Sequence, residues 1–222
     1  MDIYKLEKTY VFPKILLTFL LQKECSMGRK KHQQVDIKFP PILKGMKRGP
    51  AVIIPKDIGM VISYTGLGKK SKVVEAGAGS GFATILLGNI AKSVVSYERN
   101  KEFAELVKKN VEKAALKNVK VKTADILDGI KEKEVDLVLL DMPESHKGVG
   151  LAHAALVKGG HLVGYLPNLE QAKEFFLAAE EAKFSEVYML ECIVREYDVR
   201  IYGVRPKHIG LAHTAYLVFA QK

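Results

Sequence analysis

The sequence predicts an α/β fold built around a mostly parallel sheet, on three observations. Short apolar runs alternate with amphipathic stretches of helical length from Pro55 onward, the pattern of parallel strands joined by helical crossovers. The first such run opens directly into a glycine-rich loop, Gly77-Ala78-Gly79-Ser80-Gly81. Acids also stand where successive runs end (Glu98, Asp125 and Asp141), the edge of an α/β sheet that holds ligands.

Taken in order, residues 1–50 are broken by Pro13, Pro40, Pro41 and Pro50 and by several glycines, and are expected to form a short basic N-terminal segment ahead of a domain spanning 51–222. Its apolar run Ile15 to Leu21 falls short of the roughly 20 residues a bilayer requires. No small-residue cleavage site follows it, so a buried helix or strand is expected, with neither signal peptide nor membrane span. Lys56 to Thr65 places Ile58, Val61 and Ile62 at helical spacing. Strands are expected at 72–76, 93–98, 119–124, 135–141 and 161–166, and helices at 82–91, 101–115, 148–157 and 169–182. The end differs: Val187 to Val194 and Thr214 to Ala220 read as strands with no helix of good periodicity between them, so an antiparallel pairing is expected. No internal repeat or low-complexity tract is visible.

With 222 residues, 48% hydrophobic and 27% charged, the chain suits one globular domain and an appendage. Its two cysteines, Cys25 and Cys192, are far apart, which argues against a disulfide framework or a zinc site and fits a reducing, cytoplasmic location. No H-x-x-x-H or paired-acid arrangement suggests a metal. The net charge of +10 is uneven: residues 1–58 hold 12 Lys/Arg against 5 Asp/Glu, including Arg29-Lys30-Lys31-His32 and Lys44 to Arg48. Such clustering is the footprint of a polyanionic partner, although a heat-adapted surface has a similar composition.

The loop after the first strand turns sharply and lets a ligand approach the main chain. Its spacing is G-x-G-x-G, with Glu75 two residues ahead, whereas the dinucleotide fingerprint is G-x-G-x-x-G. Glu75 would also repel a pyrophosphate. These details favour S-adenosylmethionine, held by Glu75, Gly77, Gly79, Ser80 and Gly81. Glu98, 23 residues after Glu75, is placed to accept the ribose hydroxyls, and Asp125 to accept the adenine amino group. Singly, each acid reads equally well as a helix N-cap; three in succession along one sheet edge favour the cofactor.

These segments resemble the class I methyltransferases, and among them the tRNA adenine-N1 methyltransferases that act on the T-loop, in their archaeal and bacterial branch. The likeness rests on RGPAVIIPKD (48–57), VVEAGAGSG (73–81), SYE (96–98), LLDMPE (139–144), YLPN (165–168), REYDVR (195–200) and RPKHIGLAHTAYLVFA (205–220). The glycine loop is common to the superfamily, while YLPN, REYDVR and the tail are more specific. The resemblance implies a Rossmann-like, mostly parallel seven-stranded sheet with an antiparallel C-terminal strand. It also implies S-adenosylmethionine as cofactor, Asp141 as the catalytic aspartate, tRNA as partner and a homo-oligomer, tetramer or dimer. The chain departs from the pattern at Ile54, where tyrosine is usual, at Ser145-His146, where a proline-tryptophan pair is usual, and in its shorter N-terminal module.

Methyl transfer needs alignment more than covalent help. Asp141 is therefore expected to accept from the N6 amino group of a flipped adenine and to balance the charge that methylation creates. Tyr165, Arg195 and Arg200 are candidate substrate contacts. Amino-group methylation fits less well, because D-M-P-E lacks the aromatic of that motif. Cytosine-C5 chemistry needs a cysteine near the pocket. Two alternatives stay open: a class I methyltransferase acting on a small molecule or protein, and a non-catalytic tRNA-binding subunit.

Overall fold

The computed structural model describes residues 37–49 and 52–222. The Ile15 to Leu21 run, Cys25, the Arg29 to His32 cluster and most of the expected 1–50 segment lie outside the described residues.

Among the described residues nine strands form two sheets. The main sheet has the order β3-β2-β1-β4-β5-β9-β6. Its strands are β1 (Lys72–Ala76), β2 (Ser93–Glu98), β3 (Val119–Thr123), β4 (Val135–Leu140), β5 (Leu156–Leu166), β6 (Glu186–Glu191) and β9 (Tyr216–Gln221). β1 to β5 pair in parallel, and β9 lies between β5 and β6, antiparallel to both. This is the class I methyltransferase fold. Its central strands are apolar on both faces, as a sheet covered by helices on each side requires. In β4, Val138 and Leu140 face one core, and Leu137 and Leu139 the other.

Among the described residues five α-helices cover the sheet: α1 (Pro55–Thr65), α2 (Phe82–Gly88), α3 (Lys101–Lys113), α4 (Val149–Ala155) and α5 (Leu169–Glu181). α4 and α5 fill one face with Val149, Ala152 and Phe175, while α1 and α2 fill the other with Ile58, Val61, Ala83 and Leu87. α1 starts on Pro55, whose missing N–H costs nothing at a first turn, and ends on Gly66 in the left-handed region. Asn100 caps α3 by accepting from the Glu102 and Phe103 N–H groups, and Asn168 of YLPN caps α5 by accepting from Gln171 N.

Leu43 is buried against Phe82, Ile85 and Val107, so residues 39–49 form a strap on the domain. Two expectations are corrected. β5 begins at Leu156 rather than at His161, because the pairing register with β4 shifts between Val135 and Leu137 around Gly159-Gly160. The strand expected to reach Val194 stops at Glu191, and beyond it β7 (Tyr197–Arg200) and β8 (Gly203–Pro206) make a separate hairpin. Its apolar side chains point to solvent: Ile201 is 94% and Tyr202 99% exposed. Among the described residues no helix is long and apolar enough to cross a membrane.

Candidate active site

β1 pairs with β2 on one side and β4 on the other, so the chain reverses its order along the sheet at the β1/β4 gap. A crevice opens at the carboxyl ends of strands at such a point. Gly77 leaves β1 there with φ +83°, a conformation glycine adopts without strain. Asp141 leaves β4 opposite it, its N–H bonded to the Ala76 carbonyl at 2.9 Å. A cleft of about 380 Å³ follows, lined by Gly77, Gly79, Glu98, Asp125 and Asp141 and walled by Tyr97, Phe103, Ile126, Met142 and Pro143.

The acids are held in different ways. Glu98 accepts from Gly79 N and Asn100 N, both at 2.9 Å, which fixes its carboxylate at the cleft wall and ties the glycine loop to β2. Asp125 accepts from Leu127 N at 2.9 Å, so it caps a short 3-10 turn while its other oxygen lies 3.7 Å from Arg99 Nη1. Both roles weighed for this acid, cap and cleft wall, coexist. Glu75 sits beneath the loop, buried, accepting from Thr84 Oγ1 at 2.5 Å and Ser96 Oγ at 2.8 Å. Burial raises its pKa against the lowering effect of those two hydroxyls. It lines a narrow slot with Val52, Ile53, Gly77 and Asp141, not the main cleft.

Asp141 borders both cavities. Burial first, then the Glu75 and Glu98 carboxylates, push its pKa up to about 8. A strand-end carboxyl poised there, in a cleft, is what acid–base or charge-balancing chemistry uses.

Not every expected residue reaches the cleft. The Ser80 hydroxyl turns inward and accepts from Gly49 N of the strap at 2.8 Å. Gly81 (φ +77°) faces α3, where a β-carbon would sit 2.9 Å from Val107 Cγ1. Tyr165 stands one residue beyond the Leu140–Gly164 pair, the last but one residue of the strand beside that of Asp141. Its hydroxyl points to Asp57 Oδ2 at 3.4 Å. Burial, then the Asp57 and Asp141 carboxylates, raise its pKa. Arg195 and Arg200 are exposed and lie on the 193–213 arm, Arg200 3.9 Å from Asp198. Ser145 is buried with its hydroxyl on the Met142 carbonyl, and His146 faces Glu174 at 3.5 Å; neither lines the cleft. Sequence reasoning missed Thr84 and Ser96, the partners of Glu75, and the buried pair Lys56–Asp57. The P-K-D run carried the signal for the pair, since an acid in an apolar helix start needs a partner.

The cleft fits S-adenosylmethionine by its donor set: a glycine main chain, two acids fixed from behind, and apolar walls for a flat base. Among the described residues no group of three or more metal-ligating side chains is assembled.

Comparison with known proteins agrees with this geometry. The chain is 34% identical to the tRNA (adenine(57)-N(1)/adenine(58)-N(1))-methyltransferase TrmI of Methanocaldococcus jannaschii, covering 81% of this chain and 74% of that one. It is 33% identical to the tRNA (adenine(58)-N(1))-methyltransferase TrmI of Thermus thermophilus, covering 78% and 70%. Among solved structures, the tRNA (m1A58) methyltransferase TrmI of Aquifex aeolicus matches with a TM-score of 0.76 and 30% identity, over 81% of this chain and 73% of that one. A SAM-dependent O-methyltransferase of Thermotoga maritima matches with a TM-score of 0.78 and 29% identity, over 82% and 71%. Residues 46–212 match the family described as "tRNA methyltransferase complex GCD14 subunit". With a cleft suited to the cofactor and most of its length matched, the chain is an S-adenosylmethionine-dependent methyltransferase and belongs to that family.

Proposed function

We propose that the chain methylates N1 of an adenine in tRNA, with Asp141 holding the target base. The observation that carries this reading is the placement of Asp141, at the switch point and bordering both the cofactor cleft and the adjoining slot. The names of the relatives support tRNA adenine as the acceptor.

S-adenosylmethionine, when bound, supplies an electrophilic methyl group. Adenine N1 supplies the lone pair, and the base becomes cationic as the new C–N bond forms and the C–S bond breaks toward sulfur. As a carboxylate, Asp141 accepts from the exocyclic N6 amino group, which orients N1 and offsets the growing positive charge. The base must leave its stack to arrive there, at a cost of a few kcal/mol. Glu98 and Asp125 hold the nucleoside end of the cofactor, and the glycine loop provides main-chain contact along the cleft floor. Glu75, Ser80 and Gly81 act behind the loop, fixing its shape.

The basic balance of residues 1–58 supports tRNA as partner. The exposed apolar hairpin supports self-association, because lone patches of this kind are rare on monomers; light scattering should give at least a dimer mass, reduced in a Tyr202→Glu variant. The deciding experiment incubates the protein with methyl-labelled S-adenosylmethionine and total tRNA, then identifies the labelled nucleoside. Labelled 1-methyladenosine supports the reading. tRNA binding without label favours a non-catalytic subunit, and neither result favours another acceptor.

A further inference from the structure

β6 and β9 stay paired up to the Glu191–Tyr216 rung, and beyond it the chain leaves as the 193–213 arm. The two roots of that arm are Cys192 and Thr214. Both are held by one ammonium group that belongs to neither strand. Lys56, at the start of α1, donates to the Cys192 carbonyl, to Thr214 Oγ1 and to Asp57 Oδ1, each at 2.6 Å. Those three bonds use all three of its protons. The Thr214 hydroxyl in turn donates to Asp57 Oδ2 at 2.8 Å, and Tyr165 points its hydroxyl at the same oxygen. A second latch lies beside the first. His213 places Nδ1 2.6 Å from Glu191 Oε1 and Nε2 3.1 Å from the Pro167 carbonyl, so it ties the root to the YLPN turn. The Glu191 carboxylate and the Pro167 carbonyl together raise the His213 pKa and favour its doubly protonated form.

Asp57 has no exposed surface, and the Lys56 side chain is 11% exposed. Neither lines the cofactor cleft or the adjoining slot. A buried ion pair is a poor source of net stability, since an apolar pair of the same shape often does as well. What this pair does that an apolar one cannot is bond three separate elements: both roots of the arm and Tyr165, near the end of β5 beside the strand that leads to Asp141.

We propose that Lys56 and Asp57 are positioning residues for methyl transfer: they fix the arm roots and the Tyr165 hydroxyl around the acceptor side of Asp141, leaving the cofactor side untouched. The inference rests on the function proposed above, and its test is chosen so that the two fail separately. Three variants are compared: Lys56→Met, Thr214→Val, which removes the shared hydroxyl but keeps the ion pair and the shape, and Thr214→Ser, which keeps the hydroxyl.

Hydrogen exchange across residues 193–206, with no RNA present, reads the roots directly. Expected in Lys56→Met and Thr214→Val are exchange about tenfold faster in the arm, turnover at saturating tRNA about tenfold slower, and S-adenosylmethionine affinity within about twofold of wild type. Thr214→Ser is expected to restore exchange and turnover. Unchanged arm exchange in the folded variants overturns the proposal, as does cofactor affinity lost in step with turnover, the mark of a general structural role. If Lys56→Met does not fold, Thr214→Val against Thr214→Ser decides. A wild-type protein that labels no adenine in tRNA defeats the proposed function instead, and leaves the clamp to be judged on exchange and cofactor affinity.

Discussion

A β-carbon at Gly77 would lie 1.7 Å from the carbonyl oxygen of Asp141. The glycine is therefore required by the neighbouring strand as much as by any ligand: β4 reaches the cleft edge because the residue that follows β1 has no side chain. Gly77→Ala must move the Asp141 main chain or abandon φ +83°. The conformation alone costs about 1–2 kcal/mol, and the clash adds to it. The expected result is a lower melting temperature and loss of most cofactor binding, read by thermal denaturation and calorimetry. A variant that melts and binds like wild type would show that the strand ends are not coupled.

Asp141→Asn keeps the shape of the group and removes its charge. The barrier to turnover is expected to rise by about 3–4 kcal/mol, the range for losing one preorganised electrostatic contact, while S-adenosylmethionine affinity falls by the smaller factor that the sulfonium–carboxylate coupling sets. The same substitution should stabilise the empty protein at high pH. The folded pKa of about 8 lies above the ordinary 3.8, so the folded state retains a proton that the unfolded chain has released. That contribution is fully present below about pH 4 and is lost as pH rises through 8. The gain in melting temperature for Asn over Asp should therefore be larger at pH 9 than at pH 5; an equal gain at both would place the titration elsewhere.

The pH profile follows from the same group. Accepting from an amino group requires the carboxylate, so kcat/KM for the cofactor should climb between pH 7 and 8.5 and then level off, reporting the free enzyme. A sulfonium cation brought beside Asp141 favours its ionised form. Binding of S-adenosylmethionine at pH 7 should then release protons, and binding of the uncharged thioether product should release fewer. Titration calorimetry in buffers of different ionisation enthalpy measures both, and equal proton release for the two ligands would contradict the assignment.

Asn110 of α3 joins the strap to the glycine loop. Its amide donates to Lys47 O and Ser80 O, each at 2.9 Å, and accepts from Lys47 N at 3.1 Å. Asn110→Ala leaves buried main-chain groups unpaired, at a cost of about 1–3 kcal/mol. Reduced stability with weaker cofactor binding is expected, whereas reduced stability alone would mean the strap does not reach the loop.

The central strands and the acids at their ends were legible because the rule for them is local: an apolar run, a glycine turn, and one acid at the edge. Glu98 and Asp141 followed from position alone. Ser80 sits among glycines beside the cleft, but its buried hydroxyl accepts from Gly49 N, 31 residues away in sequence, a partner no local pattern announces. The Lys56 tripod joins residues up to 158 apart, a separation no spacing rule reaches. Asn168 of YLPN, conspicuous as part of a motif, is a helix cap. The β7–β8 hairpin escaped notice because its apolar residues serve no core in this chain, and periodicity detects only faces that are buried.

The place of β9 between β5 and β6 also sets an order of assembly. β5 and β6 share no hydrogen bonds; each waits for a strand that leaves the ribosome after both. Until β9 arrives, two open strand edges are exposed to other chains, the circumstance in which nascent proteins aggregate. The strands β1 to β4, which carry the glycine loop, make no pairing with β9, although Leu217 and Phe219 complete the core that Val73, Leu137 and Leu139 share. A chain still being made can thus pair the strands of the cleft first, and Thr214 reaches the arm root only when β9 is threaded between β5 and β6.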